Sequence, residues 1–374
     1  VGFRFIHSSD LHLGKGFGTL PEDLRGRLIE ARHEVLARLA QAARDHGAAH
    51  VLLAGDTFDT TGPSDQVRRQ AATAMAAAEG IHWWIIPGNH DSLAGEELWR
   101  RFADEAGPNV HILRDPAPVA IEPGVHLLPA PLPRQFPGHD LTAWMDDADT
   151  PEGTIRIGLA HGGITDFGED FDSSARIAPD RAARARLDYL ALGDWHGMLA
   201  VGDRTRYSGT PERDRFRHDG RGACLAVTID APGAAPRIEQ VTVGRFDWSA
   251  PVLDLSPGED VVARFRALLP PDRTARRDVL LRVVARGFLR MAERGALEAA
   301  ARAAAPDFAW FDLDRAGLRT EHEAGDLDLI ASGGALRSAA ETLQREATDD
   351  TLSLERQRVA EAALNRLWSL VQEG

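Results

Sequence analysis

Five short stretches of this chain deliver metal-binding side chains at the ends of apolar runs: "SDLH" at 9–12, "GDTFD" at 55–59, "PGNHD" at 87–91, "AHGG" at 160–163 and "GDWHG" at 193–197. Together they offer Asp10, His12, Asp56, Asn89, His90, His161, Asp194 and His196. Oxygen donors mixed with imidazoles suit divalent ions such as Mn²⁺, Fe²⁺ or Zn²⁺ rather than a soft thiolate metal. A carboxylate such as Asp56 can bridge two ions about 3.5–4 Å apart, the spacing that clamps the attacking and leaving oxygens of a phosphoryl group. That arrangement implies hydrolysis of a phosphate ester. One Asp-x-His pair alone is common, and a lone strand-end Asp is usually a turn residue. The weight lies in five such clusters occurring in order.

The elements that must carry these residues are legible from periodicity. Short apolar runs alternate with helical patterns from Phe3 to about Ser208, the grammar of a layered α/β domain. From Leu24 to His46, Leu28, Val35, Leu36, Leu39 and Ala43 recur at helical spacing with Gly47 as a stop, and Arg32 is the one member of that series expected to stay out of the buried stripe. "HVLLAGD" reads as a buried strand, and Ser64 as the N-cap of a helix running to Gly80. "IHWWIIPGNHD", "VAIEPGVHLLPA", "TIRIGLAH" and "LDYLALGD" supply further strands. Each cluster therefore falls where a strand gives way to a loop, the edge at which layered α/β folds build sites.

After "RYSGTPERDRF", the segments "ACLAVTID" and "RIEQVTV" predict a hairpin that closes a first domain, 1–248. Strand, helix, strand, helix, strand follow over 249–322, with Ser256 and Glu259 as a capping box for the first of these helices. This reads as a small α+β unit. The tail, 323–374, is helical, and Leu352, Val359, Ala363, Leu367 and Val371 can share one of its faces.

Composition narrows the class. With 374 residues and 43% hydrophobic content, the chain can bury a full core and at least one smaller unit. Cys224 is its one cysteine, which excludes an intrachain disulfide framework and any Cys-rich zinc module. A formal net charge of −14 argues against nucleic-acid binding by bulk positive charge, while leaving room for a local basic face. No apolar window approaches about 18 residues, so no membrane association is expected. The strand-like "GFRFIH" opens the chain without a basic leader and apolar h-region, an expectation of cytoplasmic location. Lys15 is the only lysine. It is either a survivor of an arginine bias or a phosphate contact at the mouth of the site.

The ordered motifs "SDLHLG", "GDTFD", "GNHD", "HGG" and Gly-x-x-His resemble those of the calcineurin-like metallophosphoesterases over about the first 210 residues. Within that superfamily, "HSSDLHLG", "LLAGDTFD" and "YSGTPERDRF" resemble the SbcD-type nuclease subunits and their YhaO-type relatives. The resemblance implies a four-layer αββα sandwich with a small α+β capping domain and a helical C-terminal tail. It implies two divalent metal ions, Mn²⁺ first and Fe²⁺, Zn²⁺ or Mg²⁺ as alternatives. Asp10, His12 and His196 would hold one ion, and Asn89 and His161 the other, with Asp56 bridging. His90 would steady the transition state or protonate the leaving oxygen, and Asp91 would orient His90. The family phrase is Gly-His-x-His, where this chain has Gly-Asp-Trp-His, so Asp194 stands in an imidazole position. Either the carboxylate substitutes and favours a harder ion, or the second metal site is weakened.

Three functions remain open at this level. One is a DNA nuclease acting beside an SMC-like (SbcC-type) ATPase, as a homodimer, with phosphate contacts from the arginines of "RDRFRHDGR" and "RTARRDVLLR". The second is a phosphodiesterase or phosphatase for a small molecule. The third is a weakly active scaffold whose tail docks an ATPase. His7 is expected to be a strand residue with satisfied hydrogen bonds, Trp83 and Trp84 to pack the sheet, and Asp59 to orient its loop.

Overall fold

A computed structural model describes residues 2–164, 175–321, 327, 330 and 334–373. The chain divides into two compact units, Val1–Trp248 and Ser249–Gly374. The boundary expected at 322/323 lies outside the described residues.

In the first unit the elements run β1 (Phe3–Ser8), α1 (Glu22–Asp45), β2 (His50–Ala54), α2 (Asp65–Ala76), β3 (His82–Ile86), α3 (Glu96–Glu105), β4 (Val110–Ile112), β5 (Val119–Glu122) and β6 (Val125–Ala130). They continue with β7 (Ile155–His161), β8 (Gly163–Ile164), β9 (Arg176–Ile177), α4 (Arg181–Arg184), β10 (Tyr189–Gly193), β11 (Leu199–Ala200), β12 (Thr205–Tyr207), β13 (Gly220–Ile229) and β14 (Arg237–Ser249). One sheet has the order β14-β13-β1-β2-β3-β4, the second β11-β12-β10-β7-β6-β5. The four strands β1 to β4 are parallel, as are β6, β7, β10 and β12. Crossovers by α1 and α2 make the first set parallel, because a parallel neighbour needs a connection long enough to return the chain to the same edge.

Period-two alternation distributes each strand over two cores. On β2, Leu52 and Ala54 face the second sheet and pack with Phe5, Ile157, Leu159 and Tyr189, while Val51 and Leu53 face α1 and α2 and pack with Val35, Leu39, Ala71 and Met75. Because both faces are covered, β2 reads as a continuous apolar run rather than an alternating one. On the far side of the second sheet, Leu128, Leu190 and Leu192 pack under Met145, Ala182 and Ala185. The result is a four-layer αββα sandwich, thin on its second outer layer. Its first outer layer differs from expectation at Arg32. That side chain is fully buried, donating to the carbonyl oxygens of Leu11 at 2.6 Å and Glu212 at 3.0 Å.

The second unit has β15 (Val252–Leu255), α5 (Val261–Ala267), β16 (Val279–Arg290), α6 (Met291–Ala304), β17 (Trp310–Glu321), α7 (Gly334–Thr348) and α8 (Leu354–Glu373). Strands β15, β16 and β17 pair in parallel, the arrangement two successive βαβ crossovers produce. Helix α5 starts later than Ser256 would place it: its N-cap is Asp260, whose carboxylate accepts from the Ala263 N–H at 2.9 Å. Glu259 accepts from the Ser256 N–H at 3.4 Å, the one half of the expected box that forms, and from Arg264 at 2.6 Å. The buried face of α8 is Ala360 and Leu364, with Leu367, Trp368 and Val371 against the same cluster, and Val359 is 63% exposed. Ala360, Leu364 and Leu367 follow the i, i+4, i+7 stripe, from which Val359 is one step displaced.

Candidate metal centre

All five motif loops leave strands of the two facing sheets at the same edge. Backbone hydrogen bonds lace the first two loops together: the Asp10 N–H donates to the Gly55 carbonyl at 3.1 Å and the His12 N–H to the Asp56 carbonyl at 2.9 Å. Asp10, His12, Asp56 and Asp194 all have positive φ, at 54°, 44°, 52° and 100°. Such left-handed backbone is uncommon outside glycine, and its concentration here is the strain pattern of a functional site. Gly55, at φ 89°, also lets the second sheet come close, since a Cβ there would lie 2.3 Å from the Nδ1 of His161. At Gly193 a Cβ would meet the Ala54 carbonyl oxygen at 2.0 Å.

These constraints bring the predicted residues together. Asp10, His12 and His196 offer ligand atoms within 4.8 Å of one another, as do Asp10, Asp56 and His161, and His12, Asp56 and His90. His12 Nε2 lies 3.1 Å from His196 Nε2 and 3.7 Å from Asp56, while His161 Nε2 lies 3.5 Å from the same Asp56 oxygen. Asn89 Oδ1 is 2.7 Å from His161 Nε2, and Asp194 Oδ1 is 3.8 Å from it. Asp10, His12, Asp56 and His161 are fully buried.

Buried ionisable groups need compensating charge or hydrogen bonds. The opposite nitrogens of the rings are held from behind: His161 Nδ1 donates to the Ala54 carbonyl at 2.8 Å, and His12 Nδ1 lies 3.3 Å from the Asp59 carboxylate. An oxygen acceptor behind the ring places the proton on Nδ1 and turns Nε2 toward the cluster, as in metal-ligating histidines. Behind His196, Nδ1 is 3.4 Å from Asp214 and 3.3 Å from the Arg215 guanidinium. Burial pushes the His12 imidazole down to about 3, so it is neutral at pH 7. Burial also opposes charge on His161, yet Asp56, Asp10 and Asp194 outweigh it and raise that imidazole to about 9. For Asp56, burial lifts the carboxyl to about 7 against the pull of His161, with Asp10 and Asp194 adding to the rise. Three carboxylates, three imidazoles and an amide oxygen around one negative pocket fit divalent cations of the Mn²⁺, Fe²⁺, Zn²⁺ class.

The calcineurin-like phosphoesterase model matches residues 3–201, a span that ends just after this cluster. The chain belongs to that family. Among curated relatives, 204 residues are 28% identical to the uncharacterized metallophosphoesterase YhaO of Bacillus subtilis, covering 51% of this chain and 48% of that one. The SbcD component of the SbcCD nuclease of Escherichia coli K12 is 26% identical over 279 residues, 64% of this chain and 68% of its own. Its namesake in Rhodobacter capsulatus is 25% identical over 319 residues, 72% and 77% respectively. The chain thus spans about half the length of YhaO. Calcineurin-like phosphoesterases typically bind two divalent metals, and this member has candidate ligand clusters for them.

Around the cluster, several side chains act on neighbours other than those expected. Asp91 accepts from the backbone N–H groups of Gly88 at 2.6 Å and Phe58 at 3.0 Å, so it ties two site loops together instead of steering the His90 ring. Burial, with Asp56 close by, pushes Asp91 up to about 7. The His90 ring is oriented by the Asp59 carbonyl, 2.9 Å from Nδ1, while the His90 N–H donates to Asp56 at 2.9 Å. Lys15 Nζ lies 3.0 Å from Asp214 and 3.9 Å from Asp59, the two carboxylates that stand behind His196 and His12. Burial opposes the charge on Asp214, but His196, Arg32 and Lys15 hold it far below the usual carboxylate range. Asp214 and Arg32 are not recognisable as site supports from the sequence, because their partners are distant in the chain. The one trace of Asp214 is the charged run "PERDRF" shortly after β12.

Proposed function

We propose that this chain is a metal-dependent phosphodiesterase that hydrolyses DNA, in the manner suggested by its SbcD-type relatives. The observation that carries the reading is the convergence of His12, His161 and His196 Nε2 atoms on buried Asp10 and Asp56. Asp10, His12 and His196 would hold one ion and Asn89, His161 and Asp194 the other, with Asp56 between them. When bound, the ions supply Lewis-acid neutralisation of the phosphoryl oxygens and activate water. His90, with its Nδ1 held on the Asp59 carbonyl, would turn Nε2 toward a non-bridging or leaving oxygen. The Asp59 and Asp214 contacts keep His12 and His196 turned inward.

DNA as substrate is supported by exposed Arg217, whose guanidinium stacks over Trp195 at 4.7 Å, beside exposed Arg215, which pairs with Asp214 at 3.2 Å in the loop behind His196. Arginines at such a rim suit phosphate contacts despite an acidic total. The other basic run offers less, because Arg273 and Arg276 both pair with Asp307. By the same relationship, the chain works as a homodimer beside an SMC-like ATPase. The test is degradation of linear duplex and single-stranded DNA, and of bis-p-nitrophenyl phosphate, with added Mn²⁺. The native chain is expected to cleave both, and His90→Ala to lose at least about a hundredfold in rate. Turnover of the small diester with intact DNA, in the presence and absence of the ATPase, would contradict the DNA assignment.

A further inference from the structure

The loop 131–139, "PLPRQFPGH", leaves β6 at the edge where the metal cluster lies. In the second sheet β7 runs between β6 and β10, and the register sets Ala130 beside Ala160 and Gly193 beside His161. The loops after β6 and β10 therefore leave on the two sides of His161. The first is tied to the motif loop that carries Asn89 and His90: the Leu132 N–H donates to the Pro87 carbonyl at 3.1 Å, and the Leu93 N–H to the Leu132 carbonyl at 2.9 Å. Its turn closes on one atom, the carbonyl oxygen of buried Pro137, which accepts from Arg134 Nη2 at 3.2 Å and from His139 Nδ1 at 3.1 Å. Pro133 and Pro137 each fix φ within the turn. Between them the Phe136 ring is 63% exposed, and the other exposed phenylalanine among the described residues, Phe288, lies in the second unit.

One exposed aromatic side chain is ordinary on a protein surface. Phe136 differs in its place, on a proline-braced turn at the rim of the metal cluster, where a held backbone reduces the ordering cost of binding. Arg134, exposed and two residues away, pairs with no carboxylate among the described residues. A flat apolar ring beside a cation suits a nucleotide: every base offers a π face, and guanidinium N–H groups donate to phosphate oxygens. On the other side of His161, Trp195 in the loop after β10 carries the Arg217 guanidinium over its ring at 4.7 Å. We propose that Phe136 stacks a base of the strand being cleaved and that Arg134 contacts a phosphate of the same strand. The proposal rests on the phosphodiesterase reading and adds to it the residues that grip the nucleotide.

The contact is read with a short single-stranded oligonucleotide carrying 2-aminopurine at successive positions, titrated with the full chain and Mn²⁺ in a His90→Ala background that slows cleavage. Fluorescence should fall at the position where the ring stacks. Phe136→Leu, which keeps apolar bulk without a ring, should abolish that fall and weaken binding at least about fivefold, and Phe136→Trp should preserve both. Arg134→Gln should weaken binding alike for every sequence and lower its salt dependence by about one phosphate contact. Equal Tm values and Mn²⁺ content across the variants are expected, since none of these side chains belongs to the metal cluster. Quenching and affinity unchanged in Phe136→Leu would overturn the proposal, as would failure of the oligonucleotide to bind a native chain that turns over bis-p-nitrophenyl phosphate. A stacking signal lost in Phe136→Leu, with no turnover of that diester by the native chain, would support the Phe136 contact while overturning the phosphodiesterase reading.

Discussion

Asp194 is where this chain departs from the motif it otherwise resembles, and the structure keeps its carboxylate 3.8 Å from His161 Nε2 at the edge of the cluster. Its backbone N–H also donates to Asp10 at 3.1 Å, which fixes the loop independently of the side chain. If the carboxylate substitutes for an imidazole, Asp194→Ala should lower Mn²⁺-dependent diester hydrolysis at least tenfold. Asp194→His should recover activity with a preference shifted from Mn²⁺ toward Zn²⁺, measured as relative rates with each metal. An unchanged rate in Asp194→Ala would remove it from the ligand set. A second residue, His7, makes a pH prediction. Its Nε2 is 3.2 Å from the Leu192 carbonyl, which can only accept, so Nδ1 at 3.0 Å accepts from the Tyr189 hydroxyl. Burial holds this neutral imidazole down at about 3 from an ordinary 6.5. The unfolded chain therefore takes up a proton below its ordinary value while the folded chain does not. Stability falls as pH drops through that window, by at most about 1.4 kcal/mol per pH unit, and is unaffected above it. Urea unfolding at about pH 7.5 and pH 5, either side of the ordinary imidazole value, should show a smaller pH loss in His7→Asn than in the native chain; equal losses would refute the assignment.

At the scale of elements, the strand ends were the readable part. Buried strands such as "HVLLA" announce themselves as unbroken apolar runs, and a ligand after each run is set by sequence alone. Their supports were not readable, because they are chosen by neighbours far along the chain. Arg32 lies on α1 and reaches the carbonyls of Leu11 and Glu212; Glu212 in turn accepts from Arg38 at 2.9 Å and from the Arg245 and Phe246 N–H groups at 2.7 and 2.9 Å. A helical wheel places a charged residue outward, whereas the site loops need a donor beneath them. Arg32→Met should cost roughly 2–4 kcal/mol, since it strands buried carbonyls and an acidic neighbourhood. Denaturant titration reads the loss, and a change below about 0.5 kcal/mol would mean that the buried guanidinium is incidental. In the second unit, Ser256 satisfied a capping pattern by type and spacing, but the chain starts its helix at Asp260, where the carboxylate itself reaches an N–H. Local patterns locate helices well and their first residue poorly.

Across the whole molecule, the fold positions chemistry by stacking two sheets so that their loops meet at one edge, and the family assignment rests on that first unit. A net charge of −14 coexists with exposed arginines, Arg215 and Arg217, in the loop behind His196. None of the helices among the described residues is long and apolar enough to cross a membrane. Whether this edge holds two divalent ions bridged by Asp56 is tested most directly by counting Mn²⁺ bound to the purified chain after equilibrium dialysis, alongside Asp56→Ala. Two ions per native chain are expected, and one or none in the variant, with the circular-dichroism spectrum preserved. No retained Mn²⁺, Fe²⁺ or Zn²⁺ in the native chain, or two ions still held by a folded Asp56→Ala, would contradict the bridged pair.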